Sequence, residues 1–252
     1  MAEIIEVTAQ NIAKEHICCA ISDKKGENCV GSKKAWMNDR FNEGLVFKKL
    51  DERGKVFIEY IPAQNAWYPI QAKGYMHINC FWVSGKFKGQ GYANALLQAC
   101  VQDAKEKGCL GVTLISSDKK RTFLSDPDYL KYKGFKTADT AWPYYELLYL
   151  PFDASAPLPQ FAPCAKEGSI QQQGMVLYYT NQCPHTDKYA PLIQTLAAAK
   201  GQTVQLIKIE SRTQAQEAPS PFTTYSFFDK GKFVTNEIFG EKKFEKYLEA
   251  RG

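Results

Sequence analysis

Apolar positions along the first third of the chain recur at two different periods. Three runs, "GLVFKKLDE", "KVFIEYIP" and "YMHINCFWV", are extended and rich in β-branched and aromatic residues, the first two joined through "ERGK". Before them "TAQNIAKEHICCAI" puts Ile12, His16, Cys19 and Ala20 at helical spacing behind a Thr8 or Asn11 cap, and a second short helix is expected around Lys33 to Asn42. After them "GYANALLQACVQDAKEKG" gathers Ala93, Leu96, Leu97, Cys100, Val101 and Ala104 on one face, with Gly108 where a helix stops. The buried-looking strand "CLGVTLISS" comes next, so strand, helix and strand form a parallel crossover unit. A helix at "DYLKYKGF" and a strand at "YYELLYLPF" complete the pattern near Phe152.

The periodicity then breaks. "DASAPLPQFAPCAKEGSIQQQG" is rich in Pro, Ala, Ser and Gln and reads as a linker. Beyond it the order is strand "MVLYYT", loop "NQCPHT", a helix to about Lys200, strand "TVQLIKI", a proline-containing loop, hairpin "TTYSFFDKGKFVTNEI" and terminal helix "EKKFEKYLEARG". The expected organisation is a mixed α/β sheet flanked by helices over residues 1–152, a linker at 153–173, and a smaller α/β domain at 174–252.

Composition changes this picture little. The formal charge of +5 comes from 32 basic and 27 acidic side chains scattered along 252 residues, which leaves no nucleic-acid footprint. The N-terminus lacks a signal-peptide pattern and no apolar run approaches the roughly 18 residues of a membrane span, so a cytoplasmic location without a membrane partner is expected. Eight cysteines (18, 19, 29, 80, 100, 109, 164 and 183) are dispersed without C-x-x-C spacing and read mostly as small buried hydrophobes. Three histidines without a ligand cluster give no expectation of a metal.

The sharpest local feature is "KGQGYANALL", directly after an apolar strand. Gly89 and Gly91 let backbone approach a ligand, and a helix starting near Tyr92 offers free N–H groups and a positive dipole end, which together suit a phosphate. The missing Gly-Lys-Ser/Thr ending excludes a P-loop, and the glycine spacing does not fit the dinucleotide fingerprint.

Residues 77–97 resemble the acyl-CoA signature of the GNAT superfamily of N-acetyltransferases, Q/R-x-x-G-x-G/A after the fourth strand. Lys88-Gly89-Gln90-Gly91-Tyr92-Ala93 carries it, with Lys88 departing from the usual Arg or Gln, and "YLKYKGF" is similar to the family's "YEKLGF". The resemblance implies acetyl-CoA as co-substrate, backbone pairing of Phe81, Trp82 and Val83 with the pantetheine arm, and the pyrophosphate on residues 88–93. It also implies that the fourth and fifth strands splay apart at a bulge.

Acyl transfer to an amine needs a neutral nucleophile and a proton source for the thiolate. His77 lies six residues before Val83, where some GNAT enzymes that acetylate lysine place a catalytic glutamate. By period-two alternation it shares a face with Asn79, Phe81 and Val83, and an imidazole of near-neutral pKa would serve as base, although a half-buried structural histidine weighs more heavily. Glu59, a carboxylate on the adjacent strand, is the alternative base, weighed more heavily as a solvated strand residue. Many members use a tyrosine four residues before the helix-end glycine. Counting from Gly134 this is Leu130, flanked by Tyr129 and Tyr132, which are the acid candidates. Aromatic residues in "PAQNAWYPI" and "TAWPYYELL" line either an acceptor pocket or core.

The C-terminal order resembles a thioredoxin-like fold, and the whole chain looks like GNAT proteins with a YoaP-like C-terminal domain. By that resemblance Cys183 stands at the attacking-cysteine place, Pro191 in the helix and Pro221 in the cis-proline loop, while Thr186 replaces the resolving cysteine. A thiol at a helix N-terminus is expected to have a lowered pKa.

The leading expectation is an N-acetyltransferase acting by direct attack on a small-molecule or peptide amine. The rivals are a non-catalytic acyl-CoA sensor and a thiol oxidoreductase using Cys183. Oligomeric state, including a homodimer, is left open.

Overall fold

The three extended runs fold as neighbouring antiparallel strands, β2 (Val46–Leu50), β3 (Val56–Pro62) and β5 (Met76–Val83). The computed structural model describes residues 2–17 and 19–251. Around those strands lie β1 (Ile4–Val7), α1 (Cys29–Phe41), the two-residue β4 (Ile70–Gln71), α2 (Tyr92–Glu106), β6 (Gly111–Ser117), α3 (Pro127–Tyr132), β7 (Lys136–Ala141) and β8 (Tyr145–Pro151). The resulting seven-stranded mixed sheet has the order β1-β2-β3-β5-β6-β8-β7. One face packs against α2 through Leu96, Leu97, Cys100 and Ala104, which meet Ile58, Met76, Ile78 and Leu114.

β9 (Gln160–Phe161) follows, and then β10 (Met175–Tyr179), α4 (Pro184–Ala199), β11 (Val204–Lys208), α5 (Arg212–Gln216), β12 (Tyr225–Asp229), β13 (Lys232–Thr235) and α6 (Glu241–Arg251). β10 pairs parallel with β11 and antiparallel with β12, giving a four-stranded sheet β11-β10-β12-β13. Its one face packs on α4 and α6 through Leu177, Ile193, Phe227 and Phe244. Val176, Phe222, Phe228 and Phe233 instead join Phe47, Phe57, Trp67 and Tyr145 of the N-terminal part in one continuous core.

Several elements differ from the sequence reading. Residues 9–15 form turns rather than a helix. The Asn11 side chain accepts from Thr8 N–H (2.8 Å) and donates to Glu6 O (2.9 Å), a local alternative to helical bonding. The preceding residues Ile4–Val7 are an edge strand on β2. β7, polar in sequence, is held by β8. The stretch 153–173 is packed chain: β9 pairs with β4, Phe161 is buried, and its N–H donates to Asp139 Oδ2 at 2.9 Å. Among the described residues the cis peptide is Trp142–Pro143, so the bond before Pro221 is trans. The seven described cysteines are free, Cys29 and Cys100 are buried, and Cys164 is exposed. Cys18 lies outside the described residues. No described helix is long and apolar enough to cross a membrane.

Candidate active site

The two glycines form an open turn at the start of a helix. Gly89 and Gly91 have φ of +75° and +84°, and a Cβ built on either meets nothing within 4 Å. Gly91 caps α2 in the left-handed conformation with no side-chain cap. The first intrahelical bond runs from Ala95 N–H to Gly91 O (3.1 Å), so the preceding N–H groups of Tyr92, Ala93 and Asn94 have no intrahelical acceptor. Lys88 and Gln90 are exposed. The Tyr92 ring is buried edge-on to Phe87, so this residue offers its backbone alone.

The neighbouring strands separate where an acyl chain would enter. β6 pairs with β5 only at Met76, His77 and Ile78. On the other side β3 pairs continuously with β5 except at Asn79, where Glu59 opposes Cys80 and Tyr60 opposes Ile78. Asn79 is thus an extra residue, a β-bulge, at the point of splaying. Beyond Ile78 the edge of β5 that faces away from β3 has no strand partner among the described residues, and Phe81, Trp82 and Val83 lie along it. The bulge also corrects the expected alternation. Met76 and Ile78 pack in the same core as Phe81 and Val83, whereas His77 lies with its ring 5.0 Å from that of Tyr68, tilted by 51°, toward the opposite face.

On that opposite face a cavity of about 80 Å³ lies between the two sheets, lined by Glu59, His77, Asn79 and Cys80 of the first part and by Gln182 and Cys183 of the second. Its walls include Tyr68, Phe81, Trp82 and Phe222. Trp67 and Tyr145, by contrast, are core residues.

Glu59 is buried, not solvated as its strand position suggests. Lys33 Nζ approaches its Oε2 to 2.5 Å and Asn79 Nδ2 donates to Oε1 at 3.1 Å. Lys33 sits on the buried stripe of α1 with Cys29, Trp36 and Met37. A lysine in an apolar helical stripe was the legible sign of this pair.

His77 is also buried, and desolvation pulls its imidazole down to about 3. The Thr113 hydroxyl donates to Met76 O (3.4 Å), so His77 Nδ1–H donates to Thr113 Oγ1 (3.0 Å) and Nε2 keeps the lone pair. A near-neutral base is therefore not what the site provides. In the unfolded chain this histidine takes up a proton below its ordinary value of 6.5, and in the folded chain it does not until about pH 3. Stability consequently falls with pH across that window, by up to about 1.4 kcal/mol per pH unit from this group. Urea titrations at pH 4.5 to 7.5 are expected to show a shallower pH dependence for His77→Gln than for the native chain. Identical slopes would contradict the burial of this imidazole.

Tyr129 is half-buried, 6.0 Å ring to ring from Phe81 and hydrogen-bonded to Asn94 Oδ1 (3.1 Å) in the first turn of α2. Burial raises its pKa, so the phenol stays protonated. Tyr132 is 82 % exposed and stands apart from the cavity. Cys183 is the N-cap of α4, yet burial pushes its thiol up to about 12, against the lowered value expected at a helix start. Cys19 and Cys80 reach the same cavity. Elsewhere Asp23, Glu27 and Cys29 place ligand atoms within 4.8 Å of one another, but Lys188 already lies 2.8 Å from Glu27.

The acetyltransferase (GNAT) family model matches residues 10–122, and the YoaP-like model matches residues 204–246. A Bacillus subtilis (strain 168) protein named uncharacterized N-acetyltransferase YoaP is 45% identical over 244 residues, 97% of each chain. Similar solved structures include a GNAT family acetyltransferase from Brucella melitensis in complex with acetyl-CoA, with TM-score 0.39, 16% identity, and coverage of 64% of this chain and 94% of that one. Another is the PaiA N-acetyltransferase from Thermoplasma acidophilum in complex with coenzyme A, with TM-score 0.40, 13% identity, and coverage of 60% and 98%. The chain belongs to the GNAT family of acetyltransferases, with a YoaP-like region at its C-terminal end.

Proposed function

We propose that the protein transfers the acetyl group of acetyl-CoA to an amine by direct attack. The observation that carries this reading is the splay of β5 from β6 at the Asn79 bulge, in line with the uncapped start of α2. The pyrophosphate rests on Gly89, Gly91 and the first-turn N–H groups of α2, with Lys88, Gln90 and Ala93 beside it. The pantetheine arm adds to the open edge of Phe81, Trp82 and Val83 as an extra strand would.

The amine reaches the thioester from the cavity side. It attacks in its neutral form, with Nε2 of the uncharged His77 as an acceptor that orients an N–H rather than a base that holds a full proton. The nitrogen–carbon bond forms and the carbon–sulfur bond breaks. Tyr129, kept protonated by burial, gives its proton to the departing thiolate, while the amine nitrogen releases its proton to solvent, from which the phenolate is reprotonated. Glu59 fixes Asn79 at the bulge and is itself held by Lys33. Tyr132 has no part in this scheme.

The cavity weighs against a pure CoA sensor, since a sensor has no use for polar groups beyond the thioester. The elevated Cys183 pKa and the commitment of the Thr186 hydroxyl to the carbonyls of Thr180 (2.6 Å) and Cys183 (2.7 Å) weigh against a thiol oxidoreductase.

Calorimetry of the full chain with acetyl-CoA tests the cofactor site. Gly91→Val places a β-branched side chain at positive φ and into the open space above the helix start, so acetyl-CoA affinity is expected to fall at least roughly tenfold. An unchanged Kd in a variant that keeps its circular dichroism would remove the phosphate site.

A further inference from the structure

We propose that Gln182, from the C-terminal part, completes the acceptor site, and that the acceptor is a small primary amine without a carboxylate. This rests on the acetyl-transfer reading and names the substrate class for the same cavity.

Two carbonyl oxygens of cavity-lining amides, Asn79 Oδ1 and Gln182 Oε1, are buried without a hydrogen-bond partner among the described residues. Their orientations are set by neighbours. The amide nitrogen of Asn79 donates to the Glu59 carboxylate, which only accepts, so its oxygen turns the other way. The Thr223 hydroxyl donates to Trp67 O, so toward Gln182 it only accepts, and Gln182 Nε2 donates to it at 3.1 Å. Gln182 Nε2 also lies 3.2 Å from Thr180 Oγ1. With its nitrogen so held, the Gln182 oxygen is left over, on a residue 7% exposed. One orphan acceptor comes from each half of the protein, and His77 Nε2 adds a third lone pair.

A site of unpartnered acceptors calls for a ligand that donates, and a primary amine offers several N–H groups on one small atom. The charge balance narrows the class. Among the described residues Glu59 is the one charged side chain lining the cavity, and Lys33, which does not itself line it, neutralises Glu59. None of the described lining residues is an arginine or a lysine. A carboxylate brought there would be desolvated beside acceptors with no cation to meet it. The aromatic walls, Tyr68, Phe81, Trp82 and Phe222, suit an apolar body on the amine.

The test uses the full chain, ethylamine and alanine, which share a body and differ by the carboxylate, the body being small enough for the cavity. N-acetylated product is read by chromatography. Ethylamine is expected to have at least roughly a hundredfold higher kcat/KM than alanine. Gln182→Met, of similar size without the acceptor, is expected to raise the amine KM roughly tenfold, with kcat and the calorimetric acetyl-CoA Kd little changed. A merely structural role would disturb the latter two as well. Equal use of both amines, or an unchanged KM in Gln182→Met, overturns the inference. If Gln182→Met fails to fold, the comparison of the two amines on the native chain decides alone. Acetyl-CoA binding with neither amine acetylated overturns the substrate class and leaves the cofactor site standing. No acetyl-CoA binding by the native chain overturns the acetyl-transfer reading, and this inference falls with it.

Discussion

Lys33→Met is expected to destabilise the full chain by about 3–5 kcal/mol, because it strands the Glu59 carboxylate in the interior. Both side chains of the pair are 2% exposed, and they meet at 2.5 Å across 26 residues of sequence. The remaining contact of Glu59, with Asn79, cannot offset a full charge removed from water. For a chain of this length the loss corresponds to roughly 10 °C in Tm. Adding Glu59→Gln removes the stranded charge while leaving an acceptor for Asn79, so the double variant is expected to recover most of the loss. Thermal melts of the native chain and the three variants form a complete cycle. A Tm within a degree or two of native for Lys33→Met would mean that water reaches the pair.

The second large effect concerns chain length. A protein cut after Phe152 is expected not to fold as a soluble monomer, because the sheet face opposite α2 is completed by the C-terminal part. Phe233 packs against Tyr144 and Tyr145 at 6.1 and 5.8 Å between ring centres, and Phe222 lies 6.4 Å from Tyr68. Polar links run alongside: Gln216 Nε2 donates to the carbonyls of Gln64 and Ala66, and Lys188 pairs with Glu27. Removing the partner would leave Phe47, Phe57, Trp67 and Tyr145 of the shared core uncovered, an apolar patch of the kind that drives association. Light scattering after gel filtration and a thermal melt read the outcome. A monomeric fragment with a cooperative transition near that of the full chain would show that the two parts merely touch.

The glycine turn and helix start of the candidate cofactor site were legible because their signals are local. Two glycines between an apolar strand and an amphipathic helix are a pattern a few residues long, and α2 begins at Tyr92 as that pattern implies. The acceptor side was not legible, because its groups meet only in three dimensions. Thr223 and Trp67 are 156 residues apart. Glu59 is the one charged residue in the apolar run of β3, and its pairing with Lys33 of α1 shows that it is buried rather than solvated. Tyr129 and Tyr132 were equivalent in sequence, and one turn of helix separates a half-buried phenol from an exposed one. The helix read into "TAQNIAKEHICCAI" failed for a related reason. Of its four spaced positions Ile12 is buried and reaches the core from a turn, while His16, Cys19 and Ala20 are only half-buried.

The bulge at Asn79 has one more consequence. Strike that residue out, and Ile78 would be followed by Cys80, Phe81, Trp82 and Val83 in unbroken alternation, each side chain keeping the side of the sheet it has now. Asn79 is therefore an insertion that shifts no apolar neighbour off its core. A polar group can be added to a finished strand in this way, and the strand tolerates it because nothing else in the ladder has to change places.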